Sequence, residues 1–177
     1  MAKKNVYYLG IDLGKKGAVV SLDASGRIVD RIMLASMTLS ELRTLAAWCF
    51  SGEREVYVYI EDPTFHPKWS KVCHRVLSEQ VGWFKGVFHS ARFIDPKSWQ
   101  KVVHVPMAYG AETDPKAKSL ASAKFYWPDE TWVVQKLNAR KSNKPPKEDD
   151  GLVDAALIAR YGYAMETMRK RVKIDDQ

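Results

Sequence analysis

Two apolar runs of this chain end in a carboxylate, one at Asp12 and the other at Glu61. Residues 6–12 and residues 55–61 are rich in Val, Ile and Tyr, which favour strands in a buried sheet. A charge in such a run is costly unless something pairs with it. If the two strands are neighbours at the centre of one sheet, both carboxylates project near one another, so the two acids constrain the arrangement of the sheet.

The order of the predicted elements indicates an α/β fold. Turn signals at residues 15–17 and 25–26 separate the first three strands, which predicts an antiparallel meander. Later strands are reached through helices and should join the sheet in parallel. The predicted strands are residues 6–12, 18–22, 27–34, 55–61 and 91–94. The predicted helices are residues 38–51 (capped by Thr38 or Ser40), 69–90, 96–103, 114–126 and the segment that begins at Asp150. The prediction is one mixed five-stranded sheet with helices on its faces.

Composition restricts the class of protein. The 177 residues are 46% hydrophobic, which fits a single globular domain, and no apolar run is long enough to span a bilayer. The N-terminus leads straight into a strand and does not resemble a signal peptide. Two cysteines, Cys49 and Cys73, do not make a disulfide framework, so we expect small core hydrophobes and a reducing cytoplasm. Residues 139–149 are polar and basic and predict a mobile loop, and residues 169–177 predict a tail.

The net charge of +7 has two interpretations. A basic surface favours a polyanionic partner such as a nucleic acid. Ordinary solubilising charge explains the same number equally well, so charge alone leaves both open.

Four acids from three elements are candidates for one site. Asp150 and Asp154 are four residues apart on the last predicted helix and therefore share a face. Together with Asp12 and Glu61 they would repel one another as a bare cluster. A hard divalent cation resolves that conflict, and all-oxygen ligation suits Mg²⁺ or Mn²⁺.

Each acid also has an ordinary structural interpretation. Asp12 is suited to cap a turn, and Glu61 to pair with a lysine. Asp150 is suited to cap its helix, and Asp154 is favoured near the first turn by the helix dipole. The conjunction of all four favours a metal site more strongly than any one of them.

The segments that carry these acids, GIDLGKKGA, VYIED and DDGLVDAALIARYG, resemble the three acidic motifs of RuvC-type Holliday junction resolvases, particularly the compact bacteriophage-like branch. The segments RFIDPKSWQKVV and DPKAKSLASAKFYWP resemble that family's helix-opening and lysine-bearing segments. The resemblance extends from about residue 6 to about residue 162. It implies a ribonuclease H-like fold and a homodimer that nicks two opposed strands of a four-way DNA junction. It also implies the cytoplasm of a bacterial or phage-infected host cell.

By this resemblance, Asp12, Glu61, Asp150 and Asp154 match the catalytic metal ligands, with Mg²⁺ as the cofactor and Mn²⁺ as a substitute. Some members place the last two acids three residues apart, and position 151 here is Gly. Asp149 therefore competes with Asp150 for one role. We favour Asp150, because a four-residue step keeps it on the face of Asp154.

The resemblance and the charge pattern also name candidate DNA contacts. Lys101 and Lys118 match the lysines that the family places near its scissile strand. Further candidates for phosphate contacts are Lys15, Lys16, Lys116, Arg140, Lys141, Lys144 and Lys147. For the loop residues among them, simple solvation is an equal alternative.

Aromatic residues supply two further hypotheses. Phe65 is a candidate to stack on unpaired bases, although loop packing is slightly favoured. Trp83 and Phe84 are candidates for a dimer contact, although burial beneath the sheet explains the same pattern. The four histidines lack a zinc spacing, and we expect structural or surface roles for them.

The leading functional interpretation is metal-dependent hydrolysis of a phosphodiester, in which two metal ions activate water and stabilise the leaving oxygen. The first motif also fits an actin-like ATPase, but the chain is too short for the second phosphate-binding domain of that class. An inactive nucleic-acid-binding module and a related nuclease acting on RNA or on other branched DNA remain as alternatives.

Overall fold

The computed structural model describes residues 4–63, 70–133 and 148–175, with side chains described up to residue 171. Five strands form one sheet in the order β3-β2-β1-β4-β5. β1 pairs antiparallel with β2 and parallel with β4, β2 pairs antiparallel with β3, and β4 pairs parallel with β5. The strands are β1 (Asn5–Asp12), β2 (Ala18–Asp23), β3 (Ile28–Met33), β4 (Arg54–Glu61) and β5 (Arg92–Ile94). The predicted mixed five-stranded sheet is confirmed.

Helices cover both faces of the sheet, as predicted. α3, α5 and α6 pack on one face, where Tyr8 and Tyr59 meet Trp99 and Leu157. α1 and α2 cover the other face. The helices are α1 (Leu39–Cys49), α2 (Lys71–Val87), α3 (Pro96–Val103), α4 (Pro106–Tyr109), α5 (Pro115–Tyr126) and α6 (Asp150–Asp175).

Local side chains explain where the helices begin. Thr38 caps α1 through a capping box with Glu41. Asp95 and Asp114 cap α3 and α5, and each of these helices has a proline in its first turn. These three starts agree with the sequence prediction, and the structure selects Thr38 over Ser40.

Several predicted boundaries differ from the structure. β3 ends at Met33 rather than at residue 34, because Leu34 begins a short 3₁₀ turn and donates its backbone N–H to Gly17. α2 is shorter than predicted: Ser70 caps its start, and Phe88 leaves the helical conformation at its end. The four-residue α4 was not predicted.

The cysteine prediction is half wrong. Cys49 is buried in the core between α1 and the sheet, as expected, whereas Cys73 is exposed on α2. Both are free thiols. None of the helices in the described part of the chain is long and apolar enough to cross a bilayer.

α6 lies directly on β1, and small residues make this close approach possible. A Cβ atom at Gly10 would overlap the backbone of Ala155 and Ala159. Because Gly10 stands two residues before Asp12, the same contact holds the first turns of α6 over the end of β1.

Candidate active site

Asp12 and Glu61 end two adjacent parallel strands at the centre of the sheet. The register of β1 and β4 pairs Ile11 with Ile60, so the two acids that follow leave the sheet at the same edge. The arrangement expected from the sequence is therefore present.

The first turn of α6 meets this edge. A Cβ atom at Gly151 would overlap the backbone of Lys16, and it would lie 3.2 Å from the Oδ2 atom of Asp12. Only a glycine allows the helix to come this close. The contact places Asp150 and Asp154, on either side of Gly151, beside the carboxylates of the sheet.

The pKa values of Asp12 and Asp154 are raised by the charges of neighbouring acids. Burial raises the pKa of Asp12 well above its ordinary value, and Asp154, Glu61, Asp149 and Asp150 add to the rise through their negative charges. Burial likewise raises the pKa of Asp154 to about 7, with Glu61 and Asp150 adding to the rise while Ser119 and Lys116 oppose it. These five acids, at the ends of β1 and β4 and at the start of α6, thus form one repulsive cluster.

Glu61 responds to a different set of neighbours. Burial raises its pKa, a hydrogen bond from Trp99 lowers it, and the charge of Asp95 raises it. The indole Nε1 of Trp99 donates to Oε2 of Glu61 over 2.6 Å. This neutral donor partly stabilises the buried charge.

Protein donors also hold the two acids of α6. Lys116 Nζ lies 2.6 Å from Oδ2 of Asp150, and the Ser119 hydroxyl lies beside Asp154 and lowers its pKa. A cleft of about 240 Å³ opens between the starts of α5 and α6, and Lys116, Ser119, Asp150 and Asp154 are among its lining residues. The acids therefore face a solvent-accessible space rather than a closed core.

Within the described ranges, no three acidic, imidazole or thiol side chains are arranged as a formed metal site. The donor chemistry nevertheless fits a hard divalent cation, because the clustered groups are all carboxylates and their charges are destabilised by burial and repulsion. A cation would neutralise the charge that Lys116, Trp99 and Ser119 only partly offset.

Asp149 and Asp150 have different contacts. Asp149 accepts a hydrogen bond from the backbone N–H of Leu152 over 3.2 Å and so caps α6. Asp150 pairs with Lys116 instead, so the interpretation of Asp150 as the helix cap is wrong. The charges of Asp149 and Asp150 both raise the pKa of Asp12. The assignment of Asp150 as a metal ligand therefore stays a prediction.

The predicted basic residues lie at different distances from the cluster. Lys15 and Lys16 are exposed on the turn between β1 and β2, directly over the start of α6. Gln80 of α2 holds this turn, accepting from the N–H of Gly14 over 2.7 Å and donating to its carbonyl over 3.3 Å. The turn is therefore anchored from the other face of the sheet.

Lys118 and Lys101 lie on the helices next to the site. Lys118 is half-buried, with its Nζ 5.4 Å from the centre of the Tyr109 ring. Lys101 is exposed in the last turn of α3, and no side-chain contact in the described part of the chain joins it to the acids. Phe65, Arg140, Lys141, Lys144 and Lys147 lie outside the described residues.

Sequence reasoning missed three residues that support the acids. Trp99 is fully buried against Glu61, Ser119 lies beside Asp154, and His104 Nε2 lies 3.2 Å from the Ser119 hydroxyl. Burial lowers the pKa of His104, and Lys118 lowers it further. A tryptophan in the otherwise polar segment DPKSWQK was the one available signal, because no local pattern distinguishes Ser119 or His104.

The sheet order, the parallel pairing of β1 with β4 and the helices on both faces define a ribonuclease H-like α/β fold. The acids at the strand ends and on α6 lie at one edge of that fold.

Among solved structures, the chain is similar to Thermus thermophilus RuvC. A structure described as T. thermophilus RuvC in complex with Holliday junction substrate aligns with a TM-score of 0.53 and 12% identity, covering 93% of this chain and 97% of that chain. A second T. thermophilus RuvC structure aligns with a TM-score of 0.48 and 13% identity, covering 91% and 97%. No protein-family model matches the sequence, and neither does any curated protein. The chain thus has the fold of RuvC, as its motifs indicated.

Proposed function

We propose that this protein is a metal-dependent, structure-specific endonuclease that resolves four-way DNA junctions by paired nicking. One observation carries the proposal. Half-buried carboxylates from β1, β4 and α6 converge at one edge of a RuvC-like fold, and their charges raise the pKa of Asp12 and of Asp154. Such a cluster is unfavourable for stability alone, which favours a functional role.

In this proposal, Asp12, Glu61, Asp150 and Asp154 hold Mg²⁺, with Mn²⁺ as a substitute. Bound divalent ions supply activation of water and stabilisation of the leaving oxygen. The carboxylates bind and orient the ions, while Trp99 and Ser119 hold two of the carboxylates in place.

Basic side chains around the cluster are proposed to bind the phosphates. Lys15 and Lys16 project from the turn over the first turn of α6, and Lys116 lies within the cluster itself. Lys118 and Lys101 extend this basic border along α5 and α3. Phosphate contacts of this kind position the backbone without reading its sequence. The branched substrate is suggested by the RuvC relative, whose structure contains a Holliday junction.

Two cuts at related positions require two identical centres, so we propose a two-fold homodimer. The exposed face of α2 is its proposed contact. Trp83 is 37% exposed there, whereas Phe84 is only 1% exposed and packs against Phe88 in the core. The hypothesis that Phe84 joins the contact is therefore wrong, and the proposed contact consists of Trp83 and its exposed neighbours on α2. We place the protein in the cytoplasm of a bacterial or phage-infected cell.

The decisive test is cleavage of a labelled four-way junction beside linear duplex, flaps and RNA–DNA hybrids, with Mg²⁺, Mn²⁺ or EDTA. We expect paired nicks in the junction with either metal and none with EDTA. Asp12→Asn should abolish cleavage while retaining junction binding, because the carboxylate holds metal and the lysines hold phosphate.

Other outcomes distinguish the alternatives. Preferred cleavage of flaps or hybrids would assign a related nuclease with another substrate. Junction binding without cleavage under any metal condition would assign an inactive binding module. Cleavage by Asp12→Asn at the wild-type rate would contradict the proposed site.

A further inference from the structure

Trp99 joins α3 to the acid at the end of β4. Its side chain is fully buried, and its Nε1 donates to Oε2 of Glu61 over 2.6 Å. An indole N–H has no acceptor function, so once buried it must donate or lose a hydrogen bond. The short distance indicates that this donation is well formed.

Ser119 lies beside the acid on α6, Asp154. Both residues line the same cleft, and the Ser119 hydroxyl lowers the pKa of Asp154, which is the effect expected of a hydroxyl beside a carboxylate. His104 Nε2 lies 3.2 Å from the oxygen of that hydroxyl. His104 and Ser119 are therefore hydrogen-bonded to each other beside Asp154.

The two supports touch each other. The rings of Trp99 and His104 meet edge to face, with centroids 5.8 Å apart and planes at 88°. Glu61 and Asp154 lie on different elements, yet both adjoin one contiguous group of side chains from α3, its C-cap His104 and α5. This group is the support triad Trp99, His104 and Ser119.

We propose that Trp99 and Ser119, linked through His104, are positioning residues that fix the carboxylates of Glu61 and Asp154 for cation binding. The inference rests on the proposed function and deepens it. Each donor occupies its acceptor and thereby restricts rotation of the carboxylate.

The choice of neutral donors is central to this role. Lys116 neutralises Asp150 when it pairs with it, whereas an indole and a hydroxyl leave the full negative charge on Glu61 and Asp154. A carboxylate that is oriented without being neutralised is suited to hold a cation. Hydrogen-bonded partners of metal ligands typically contribute 10–100-fold to metal affinity.

The first experiment compares tryptophan variants of the full chain by calorimetric titration with Mn²⁺. Trp99→Phe removes the N–H donor and retains most of the ring. Trp127→Phe is the matched control, because Trp127 is also buried and donates over 2.9 Å, but to the carbonyl of Gly26. We expect Mn²⁺ affinity to fall by about 10–100-fold in Trp99→Phe and to stay unchanged in Trp127→Phe.

A serine pair repeats the comparison on α5. Ser119→Ala should weaken Mn²⁺ binding by a similar factor. Ser122→Ala is its control, because Ser122 is also buried but accepts from the backbone N–H of Val105. If the wild-type protein binds Mn²⁺, and each variant binds it as tightly as its control variant, the inference is overturned. The proposed function would remain intact.

The second experiment is NMR spectroscopy of the indole N–H groups, and it does not require a tryptophan variant to fold. In NMR spectra of the wild-type protein, the indole N–H hydrogen of Trp99 should exchange slowly with solvent. Its assigned resonance should shift when the protein is titrated with Mg²⁺, which is diamagnetic. The same resonance should also be shifted in the Glu61→Gln variant. The Trp127 resonance should not move in either case. A Trp99 resonance insensitive to Glu61→Gln would overturn the inference. If the wild-type protein binds neither Mn²⁺ nor Mg²⁺, the proposed function is contradicted instead. In that case the Trp99 resonance would not shift with Mg²⁺ but would still shift in the Glu61→Gln variant.

Discussion

At the scale of single residues, Asp154 shows how a buried carboxyl group responds to its surroundings. Burial and the charges of Glu61 and Asp150 raise its pKa from 3.8 to about 7. Its protonated form is therefore favoured in the folded metal-free protein at mildly acidic pH. The same group is poised to release its proton when a cation binds at neutral pH.

This shift predicts the pH dependence of stability in EDTA. Between its ordinary pKa and about 7, Asp154 holds a proton in the folded state but not in the unfolded state, so the free energy of unfolding should fall as pH rises through that window. The total fall is expected to be a few kcal/mol, at about 1.4 kcal/mol per pKa unit. Urea denaturation at pH 5, 6, 7 and 8 measures it.

The variant Asp154→Asn serves as the control for that measurement. It should make the decline smaller, because the amide does not titrate, while Asp12 and Glu61, whose pKa values are also raised, retain the rest of the decline. Adding Mg²⁺ to the wild-type protein should restore stability above pH 7. A wild-type slope of opposite sign would show that the cluster is not destabilised in the folded state.

The neighbouring pair Asp149 and Asp150 gives a second prediction. Asp150→Asn should reduce cleavage strongly, because it removes a proposed ligand. Asp149→Asn should have a small effect, because Asn caps helices about as well as Asp and can still accept from Leu152. Single-turnover cleavage of a junction compares them. Equal losses, or the reverse order, would assign the ligand role differently.

At the scale of elements, the contact between β1 and α6 decides whether the site forms. α6 carries Asp150 and Asp154 in its first turns, and its backbone lies against Gly10. The helix can hold these acids beside Asp12 only while it lies flat on the strand.

We therefore expect Gly10→Ala to destabilise the fold by about 1–3 kcal/mol or more, because the added methyl overlaps the backbone of Ala155 and Ala159. Cleavage should fall as well, since α6 must move away from Asp12. Urea denaturation with a parallel cleavage assay measures both effects.

Gly82→Ala is the matched control. Gly82 lies inside α2 with open space around its Cβ position, so alanine there should stabilise the helix by about 0.5–1 kcal/mol. A Gly10→Ala variant as stable as the wild type would show that the helix is not tightly seated on the strand.

At the scale of the whole molecule, the proposed dimer predicts the effect of a charge on α2. Trp83→Glu should convert a dimer into a monomer, because it introduces a charge into an apolar contact. Phe125→Glu is the control, since Phe125 is 57% exposed on α5, outside the proposed contact. Analytical ultracentrifugation of the free protein and of its junction complex measures both.

Two results would oppose the model in different ways. A wild-type monomer in both states that still cuts junctions at paired positions would remove the dimer. A Trp83→Glu protein that stays dimeric would retain the dimer but move its interface away from α2.

Much of the fold was predictable because the relevant signals are local. Apolar runs, turn residues and caps such as Thr38, Asp95 and Asp114 are read within a few residues of the chain. The three-strand meander followed by strands reached through helices then left one plausible sheet, with Asp12 and Glu61 at its centre.

Properties that depend on which side a residue faces were less predictable. Phe84 and Trp83 are adjacent on α2, yet Phe84 is buried and Trp83 is partly exposed. Cys73 is exposed, although its residue type favours burial. Each outcome depends on how α2 is rotated against the sheet, and the apolar residues on several sides of the helix left that rotation open.

The sequence by itself determined the order of the strands and of the longer helices, the placement of Asp12, Glu61, Asp150 and Asp154 near the ends of their elements, and the excess of positive charge. Only the tertiary structure decided which groups support those acids. Trp99 reaches Glu61 across 38 residues of chain, and His104 reaches Ser119 across 15. Hydrogen bonds act over about 3 Å, whereas sequence patterns report only local periodicity, so partners of this kind are determined by packing.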